Sequence, residues 1–189
     1  MLKFITGNKN KFEEVAAALA PVKIEQVKID LDEIQDLDPH NIIRHKLKGA
    51  FKHHSTEFII EDVSLFLDCL GGKLPGPLVK WFNVTVKDEG IYKITRAMRE
   101  SGATVKVILA YAKNPKEVVF FESTIKGNIV KPKGKGSFGF DPVFKPRGSN
   151  KTLADLKAEN NFSFSPRVKA IIKLKKYLEK MPKTTLKIG

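Results

Sequence analysis

The sequence predicts an α/β protein built on a mixed sheet, and three observations carry that prediction. Short apolar runs alternate with stretches of helical periodicity through the first half of the chain. Two long β-rich runs, residues 104–112 and 118–130, then follow one another across a brief polar break, as an antiparallel pair does. No internal repeat or disordered linker interrupts this order. Strands alternating with helices ahead of an antiparallel pair argue for a sheet of mixed direction with helices packed on it. At 189 residues the chain can bury a substantial core, and residues 1–189 fit one domain, or one domain with two lobes.

Residues 2–6 form a short apolar strand, which Gly7-Asn8 breaks. Phe12, Val15, Ala16 and Leu19 then recur at helical spacing until Pro21. Residues 22–29 read as a second strand. Asp38-Pro39 opens a helix, with an N-cap acid and proline at the first position, and Ile43, Leu47, Ala50 and Phe51 supply its buried face. Phe58-Ile59-Ile60 is a short buried strand ending in Glu61-Asp62, with residues 64–67 as a possible return beside it. Residues 70–77 hold too many turn formers for regular structure. A helix over residues 88–99 precedes the two long strands, and a short helix over residues 153–159 follows them. A basic helix closes the chain, with Val168, Ile171, Ile172 and Leu178 spaced for one buried face.

The formal charge is +13, from 34 Lys and Arg against 21 Asp and Glu. Such an excess suits nucleic acid, a small anionic substrate or a solvated surface. Residues 167–187 hold eight basic residues and one acid, so much of the excess reads as the wet face of the last helix. No nucleic-acid-binding module is recognisable, which makes nucleic acid an unlikely partner. Cys69 is the only cysteine, which excludes an intrachain disulfide and a cysteine-rich metal site. No run has the length of a membrane span, and Met1 leads straight into a strand without a signal-peptide core, so the expected compartment is the cytoplasm. His40, His45, His53 and His54 cluster on the second helix without zinc-ligand spacing and read as surface residues.

Four segments could carry chemistry. Thr6-Gly7-Asn8-Lys9-Asn10-Lys11 sits at a strand-to-helix junction, where unpaired backbone N–H groups and the helix dipole attract phosphate. Thr6 and Asn8 can donate side-chain hydrogen bonds there, Gly7 lets a ligand approach the backbone, and Lys9 or Lys11 could supply charge. The bland reading is a capped helix start with solvent lysines. Glu61-Asp62, with Glu33 from an acidic loop-like stretch, could hold Mg²⁺ beside a triphosphate, since that ion prefers one or two carboxylates plus phosphate oxygens and water. A carboxylate left over could orient or deprotonate a water; Glu61 could equally be a structural acid. Residues 70–77 could be a pocket wall or a plain loop. Ser137-Phe138-Gly139-Phe140-Asp141-Pro142 sets two rings, a glycine and a carboxylate side by side, either a strand end packed in the core or a clamp for a flat heterocycle.

Taken in order, these pieces resemble the inosine triphosphate pyrophosphatases. The resemblance runs through Phe4-Ile5-Thr6-Gly7-Asn8, Ile60-Glu61-Asp62-Val63-Ser64-Leu65, Leu70-Gly71-Gly72 and Leu74-Pro75-Gly76-Pro77 with Lys80-Trp81-Phe82. It continues through Phe138-Gly139-Phe140-Asp141-Pro142-Val143-Phe144, Lys151-Thr152-Leu153-Ala154-Asp155-Leu156 and Ser165-Pro166-Arg167. It implies an elongated two-lobed fold around a central cleft, a homodimer, and Mg²⁺-dependent hydrolysis of a nucleoside triphosphate to monophosphate and pyrophosphate. By position it implies that Thr6, Asn8, Lys11 and Lys46 meet phosphates, with His45 the alternative to Lys46, and Gly7 and Lys9 are taken with them as substrate-binding. It implies Glu33 and Asp62 as metal ligands and Asp62 as acceptor of the water proton. Phe138 would stack on the purine, with Asp141 and Arg167 reading its edges, and Gly139, Phe140 and Ser165 would belong to the same substrate-binding set.

The sequence also departs from that family. Val63 stands where a Ser or Thr is usual, and Pro166 where a base-contacting histidine is. A base-contacting lysine is replaced by an asparagine within Glu159-Asn160-Asn161, and Lys73 is a small insertion. The phosphate and metal half is therefore expected to persist, with an altered base preference. The alternatives are a non-catalytic nucleotide- or nucleic-acid-binding relative and a pyrophosphatase for another nucleotide class.

Overall fold

In the computed structural model, which describes residues 1–54, 56–133 and 139–181, the strands join in one sheet of mixed direction. β1 (Leu2–Ile5) leads through α1 (Lys9–Leu19) to β2 (Ile24–Val27), and β2 leads through α2 (Pro39–His53) to β3 (Phe58–Leu67). Helical crossovers return the chain in the same direction, and β1 pairs in parallel with both β2 and β3. β3 then pairs antiparallel with β5 (Gly102–Asn114), and β5 with β6 (Glu117–Ile129). β7 (Phe144–Pro146) pairs with the end of β6, and the two-residue β4 (Pro75–Gly76) pairs with the far end of β3. The sheet order is β2-β1-β3-β5-β6-β7. The remaining helices are α3 (Val79–Thr85), α4 (Lys87–Ala97), α5 (Leu153–Ala158) and α6 (Pro166–Lys180).

Three expectations need correction. Glu61-Asp62 does not end a strand: β3 runs unbroken for ten residues, in register with β5 from Phe58↔Ala112 to Leu67↔Ala103. No turn former lies between Ser64 and its neighbours, and each acid finds a cation, so the chain has no reason to reverse there. A second missed element is α3, where Val79 is buried while Trp81 and Val84 are exposed, so it shows no apolar period to read. Third, α6 turns Ala170, Ile171 and Leu174 inward and leaves Ile172 exposed. Ile171 and Leu174 are three apart on one face; Ile172 is about 100° away around the helix.

The core has three parts. α1 and α6 cover one face of the sheet, with Val15, Leu19, Ile171 and Leu174 packed on Phe4, Ile59 and Leu109. α2 covers the other, with Ile43, Leu47 and Ala50 on Phe58, Ile60 and Ile108. A third cluster gathers Leu65, Leu67, Val105, Ile125, Phe140, Phe144, Leu153 and Leu156 around the far halves of β3, β5 and β6. Each fully buried Leu, Ile or Phe contributes roughly 1.5–3 kcal/mol. β3 belongs to all three parts, and it carries both acids of interest at the place where they meet.

Candidate active site

A cleft of about 920 Å³ opens where β1 ends and β3 continues beyond it. Its walls come from the loop after β1, the segment after β2, α2, the middle of β3, the turn at Gly139–Asp141, α5 and the start of α6. Its position at the carboxyl ends of parallel strands is the usual ligand position of α/β sheets.

Successive residues of a strand face opposite sides. Glu61 therefore joins the α1 and α6 side with Ile59, while Asp62 joins the α2 side with Ile60. On the α2 side Lys46 Nζ donates to Asp62 Oδ1 at 3.0 Å and lies 2.8 Å from Glu33 Oε1. Lys46 and Asp62 are buried, whereas Glu33 is partly open to solvent. Burial raises the Asp62 carboxyl above its ordinary value despite the opposing pull of Lys46. Burial acts on Glu33 in the same sense, but there Lys46 prevails and the carboxyl is lowered. Asp62 Oδ2 is buried and has no hydrogen-bond partner among the described residues. His45 does not line the cleft, so Lys46 is the α2 cation that faces it.

At the end of β1 the backbone turns through Thr6-Gly7-Asn8 into α1. Thr6 Oγ1 accepts from the Asn8 N–H at 3.1 Å, and Asn8 Oδ1 caps the helix by accepting from the Lys11 N–H at 3.1 Å. The first-turn amides have no intrahelical acceptors. Gly7 has open space where a Cβ would project, and it lines the cleft, so any side chain there would take up ligand space. Lys11 reaches Glu61 Oε1 at 3.1 Å. Lys9, by contrast, does not join the site: its side chain is 81% exposed and lies against Glu13. Its place one residue from the cap turns it away from β3.

The opposite end is a connected set of charges. Arg167 donates from Nε and Nη2 to Glu61 at 2.7 and 3.2 Å, and from Nη1 to Glu14 Oε2. Ser165 caps α6 and donates to Glu14 Oε1 at 2.6 Å. Lys157 Nζ donates to Asp141 Oδ2 at 2.8 Å and lies 3.3 Å from Glu14 Oε2. Burial pushes the Glu61 carboxyl up, but Arg167 and Lys11 overcome it and hold it at about 2. Glu61 and Glu14 keep Arg167 raised against burial, and Arg167 and Lys157 likewise keep Glu14 lowered. Gly139 sits at φ +68°, a backbone state that favours glycine. Phe140 both lines the cleft and packs edge-on against Phe144 in the core. Ser137 and Phe138 of the expected clamp lie outside the described residues.

The profile of the Ham1 family matches residues 2–177. The chain belongs to the Ham1 family. It is 38% identical to inosine triphosphate pyrophosphatase 2 of Trypanosoma cruzi over 174 residues, spanning 90% of this chain and 88% of that one. It is 34% identical to the inosine triphosphate pyrophosphatase of Puccinia graminis over 188 residues, 95% and 97% of the two chains. Its fold is similar to that of the Ham1 protein of Staphylococcus aureus, with a TM-score of 0.77, 24% identity and coverage of 95% and 98%. A HAM1 protein from Coxiella burnetii superposes with a TM-score of 0.78, at 20% identity over 96% and 100%. The Ham1 fold is thus the mixed sheet described above.

Within this Ham1 chain the unusual residues can now be placed. Val63 lines the cleft and packs into two of the hydrophobic clusters, offering no hydroxyl. Asn160 closes α5 with φ +54° and is exposed, and Asn161 spends its side-chain oxygen on Ser163. Neither asparagine lines the cleft. The cleft wall does include charged residues that the sequence did not single out, Glu14 and Lys157 among them. Glu14 follows Lys11 by three positions, which places both on one helix face; that spacing was the available signal. Lys157 follows the buried Leu153 by four.

Proposed function

We propose that this chain is a Mg²⁺-dependent nucleoside triphosphate pyrophosphohydrolase acting on non-standard purine nucleotides such as ITP, dITP and XTP. The products are the nucleoside monophosphate and pyrophosphate. The observation that carries the reading is the Glu33–Lys46–Asp62 cluster in the cleft, with Asp62 Oδ2 buried, unpartnered and raised in pKa. Among the described residues no group of three or more His, Cys, Asp and Glu is placed to hold a metal by itself. Two carboxylates suit Mg²⁺, which completes its shell with phosphate oxygens and water. Glu33 and Asp62 would hold it, and when bound it supplies positive charge to the polyphosphate.

The chain's own groups divide the remaining work. Thr6, Gly7, Asn8, the first-turn amides of α1 and the ammonium groups of Lys11 and Lys46 receive the phosphates. Asp62 accepts the proton of the attacking water, whose oxygen bonds to phosphorus as the bridging oxygen departs with pyrophosphate. A carboxyl raised by burial is the better proton acceptor. Gly139, Phe140 and Asp141, with Phe138, form the base end, and Ser165 and Arg167 support it through Glu14 and Glu61. Residues 1–189 act as one two-lobed domain, and the protein works as a homodimer in the cytoplasm. No helix among the described residues is long and apolar enough to cross a membrane.

The test is a nucleotide panel with Mg²⁺ that reads pyrophosphate against orthophosphate. Pyrophosphate released from dITP or XTP ahead of dATP supports the reading. Orthophosphate alone, or binding without release, overturns it.

A further inference from the structure

We propose that Lys157 reads the oxo edge of the nucleobase and sets the preference among purine triphosphates, an inference that rests on the function proposed above. Lys157 is on α5, whose Leu153 and Leu156 are buried in the core. The Ala154 N–H donates to the Asp141 carbonyl at 3.1 Å, which ties the helix to the base-end turn. The ammonium is thereby held in one place, at 2.8 Å from Asp141 Oδ2 and 3.3 Å from Glu14 Oε2.

An ammonium has three N–H donors. One is donated to Asp141 Oδ2, Glu14 Oε2 is an ion-pair neighbour at 3.3 Å, and the side chain stays 29% exposed at the cleft wall, so a donor remains to meet a ligand. The neighbouring cations have other places: Lys11 stands at the start of α1, at the phosphate end of the cleft. Arg167 spends Nε, Nη1 and Nη2 on Glu61 and Glu14, and Lys11 reaches Glu61. Lys46 lies on the other face of β3.

The donor and the acceptor that stand together here match one base edge. A 6-oxo purine presents a carbonyl oxygen beside a ring N–H, so Lys157 can donate to the first while Asp141 accepts from the second. Adenine presents the reverse, an N–H₂ donor beside a ring acceptor. Set against an ammonium and a carboxylate, it would bring donor to donor and acceptor to acceptor, and such a mismatched polar edge in a site discriminates strongly.

The test uses IMP and AMP binding by calorimetry without metal, together with kcat/KM for dITP, dATP and a purine deoxynucleoside triphosphate lacking the 6-oxo group. Wild type, Lys157→Met and Lys157→Arg are compared, with melting curves for each. The methionine variant is expected to lower both the IMP/AMP affinity ratio and the dITP/dATP ratio by about 10- to 100-fold, the scale of one charge-assisted hydrogen bond. Arginine, which keeps a donor, restores at least part of the ratio. Deleting the oxo group from the substrate costs wild type a similar factor and costs the methionine variant little, as a pairwise contact requires. Unchanged ratios in a folded Lys157→Met protein, or equal losses for both bases, overturn the inference. A wild type that releases no pyrophosphate overturns the enzymatic reading instead, and the IMP/AMP ratios still decide the role of Lys157.

Discussion

Replacing Glu61 by glutamine removes one negative charge from beneath the cleft while keeping the shape of the side chain. In the wild type, burial would raise this carboxyl, yet Arg167 and Lys11 hold it at about 2 against an ordinary 4.5. At about 1.36 kcal/mol per pH unit, that depression is worth about 3 kcal/mol of stability at neutral pH. The sign follows from the direction. A folded-state value below the unfolded one stabilises above pH 4.5 and is lost as pH falls through about 2. By pH 3 roughly half of the contribution has gone. The substitution also leaves Arg167 buried with Glu14 as its one remaining carboxylate, which adds to the cost. Urea denaturation of wild type and Glu61→Gln at pH 7, 5, 4 and 3 measures the difference. The expected gap is at least about 3 kcal/mol between pH 7 and pH 5, closing towards half at pH 3. A gap of the same size at pH 3 and pH 7, or none at pH 7, would refute the reasoning.

Asp62→Asn removes the proposed proton acceptor and should lower kcat by about 10²- to 10⁴-fold with the circular-dichroism spectrum unchanged; near-wild-type turnover would end the assignment. Lys46 pulls the Asp62 carboxyl down against burial, so Lys46→Met should raise it further. Because the acceptor must be ionised, the acid limb of the pH–rate profile would then move to higher pH, and a limb that stays in place contradicts the pairing. Glu33→Gln should raise the Mg²⁺ concentration for half-maximal rate by about 10- to 100-fold, the scale known even for outer-shell partners of a metal. A metal titration that superposes on wild type would remove Glu33 from the ligand set.

Features with a local physical cause were legible in the sequence. Asp38 caps α2 by accepting from the His40 N–H at 2.9 Å, as its place before Pro39 suggested. Asn8 caps α1 in the same way, because a short side chain after a strand-ending glycine has few other uses. The long strands β5 and β6 followed from their β-branched content. Burial of charge was not legible. Glu14 and Ser165 are 151 positions apart, and Glu61 and Arg167 are 106 apart. A glutamate on an amphipathic helix looks like a solvent residue until the sheet brings an arginine to it. For the same reason Arg167 looked like a free base reader, whereas its guanidinium is engaged by two carboxylates. Lys157 was hidden because a lysine near the end of a six-residue helix carries no period of its own.

Charge counting across β3 explains why two adjacent acids behave so differently. On the α1 and α6 side, Glu14, Glu61 and Asp141 interlock with Lys11, Lys157 and Arg167, three carboxylates against three cations. That network is neutral, so it can stay buried and positions the base end without attracting a counterion. On the α2 side Glu33 and Asp62 share the ammonium of Lys46 as their one direct ion-pair partner, with Lys80 and Lys11 acting on Glu33 from farther off, which leaves one carboxylate charge without an ion pair of its own. A triphosphate approaching this residual charge is opposed by it, and a divalent cation reverses the sign of the balance. Metal and triphosphate should therefore bind with positive coupling, each raising the affinity for the other by the same factor. Calorimetry with a non-hydrolysable triphosphate analogue, with and without Mg²⁺, measures that factor. Equal affinities in the two titrations would show that the α2-side charge is not the one the polyphosphate meets. In Asp62→Asn, where the residual charge is removed, metal-free binding should strengthen while the coupling shrinks.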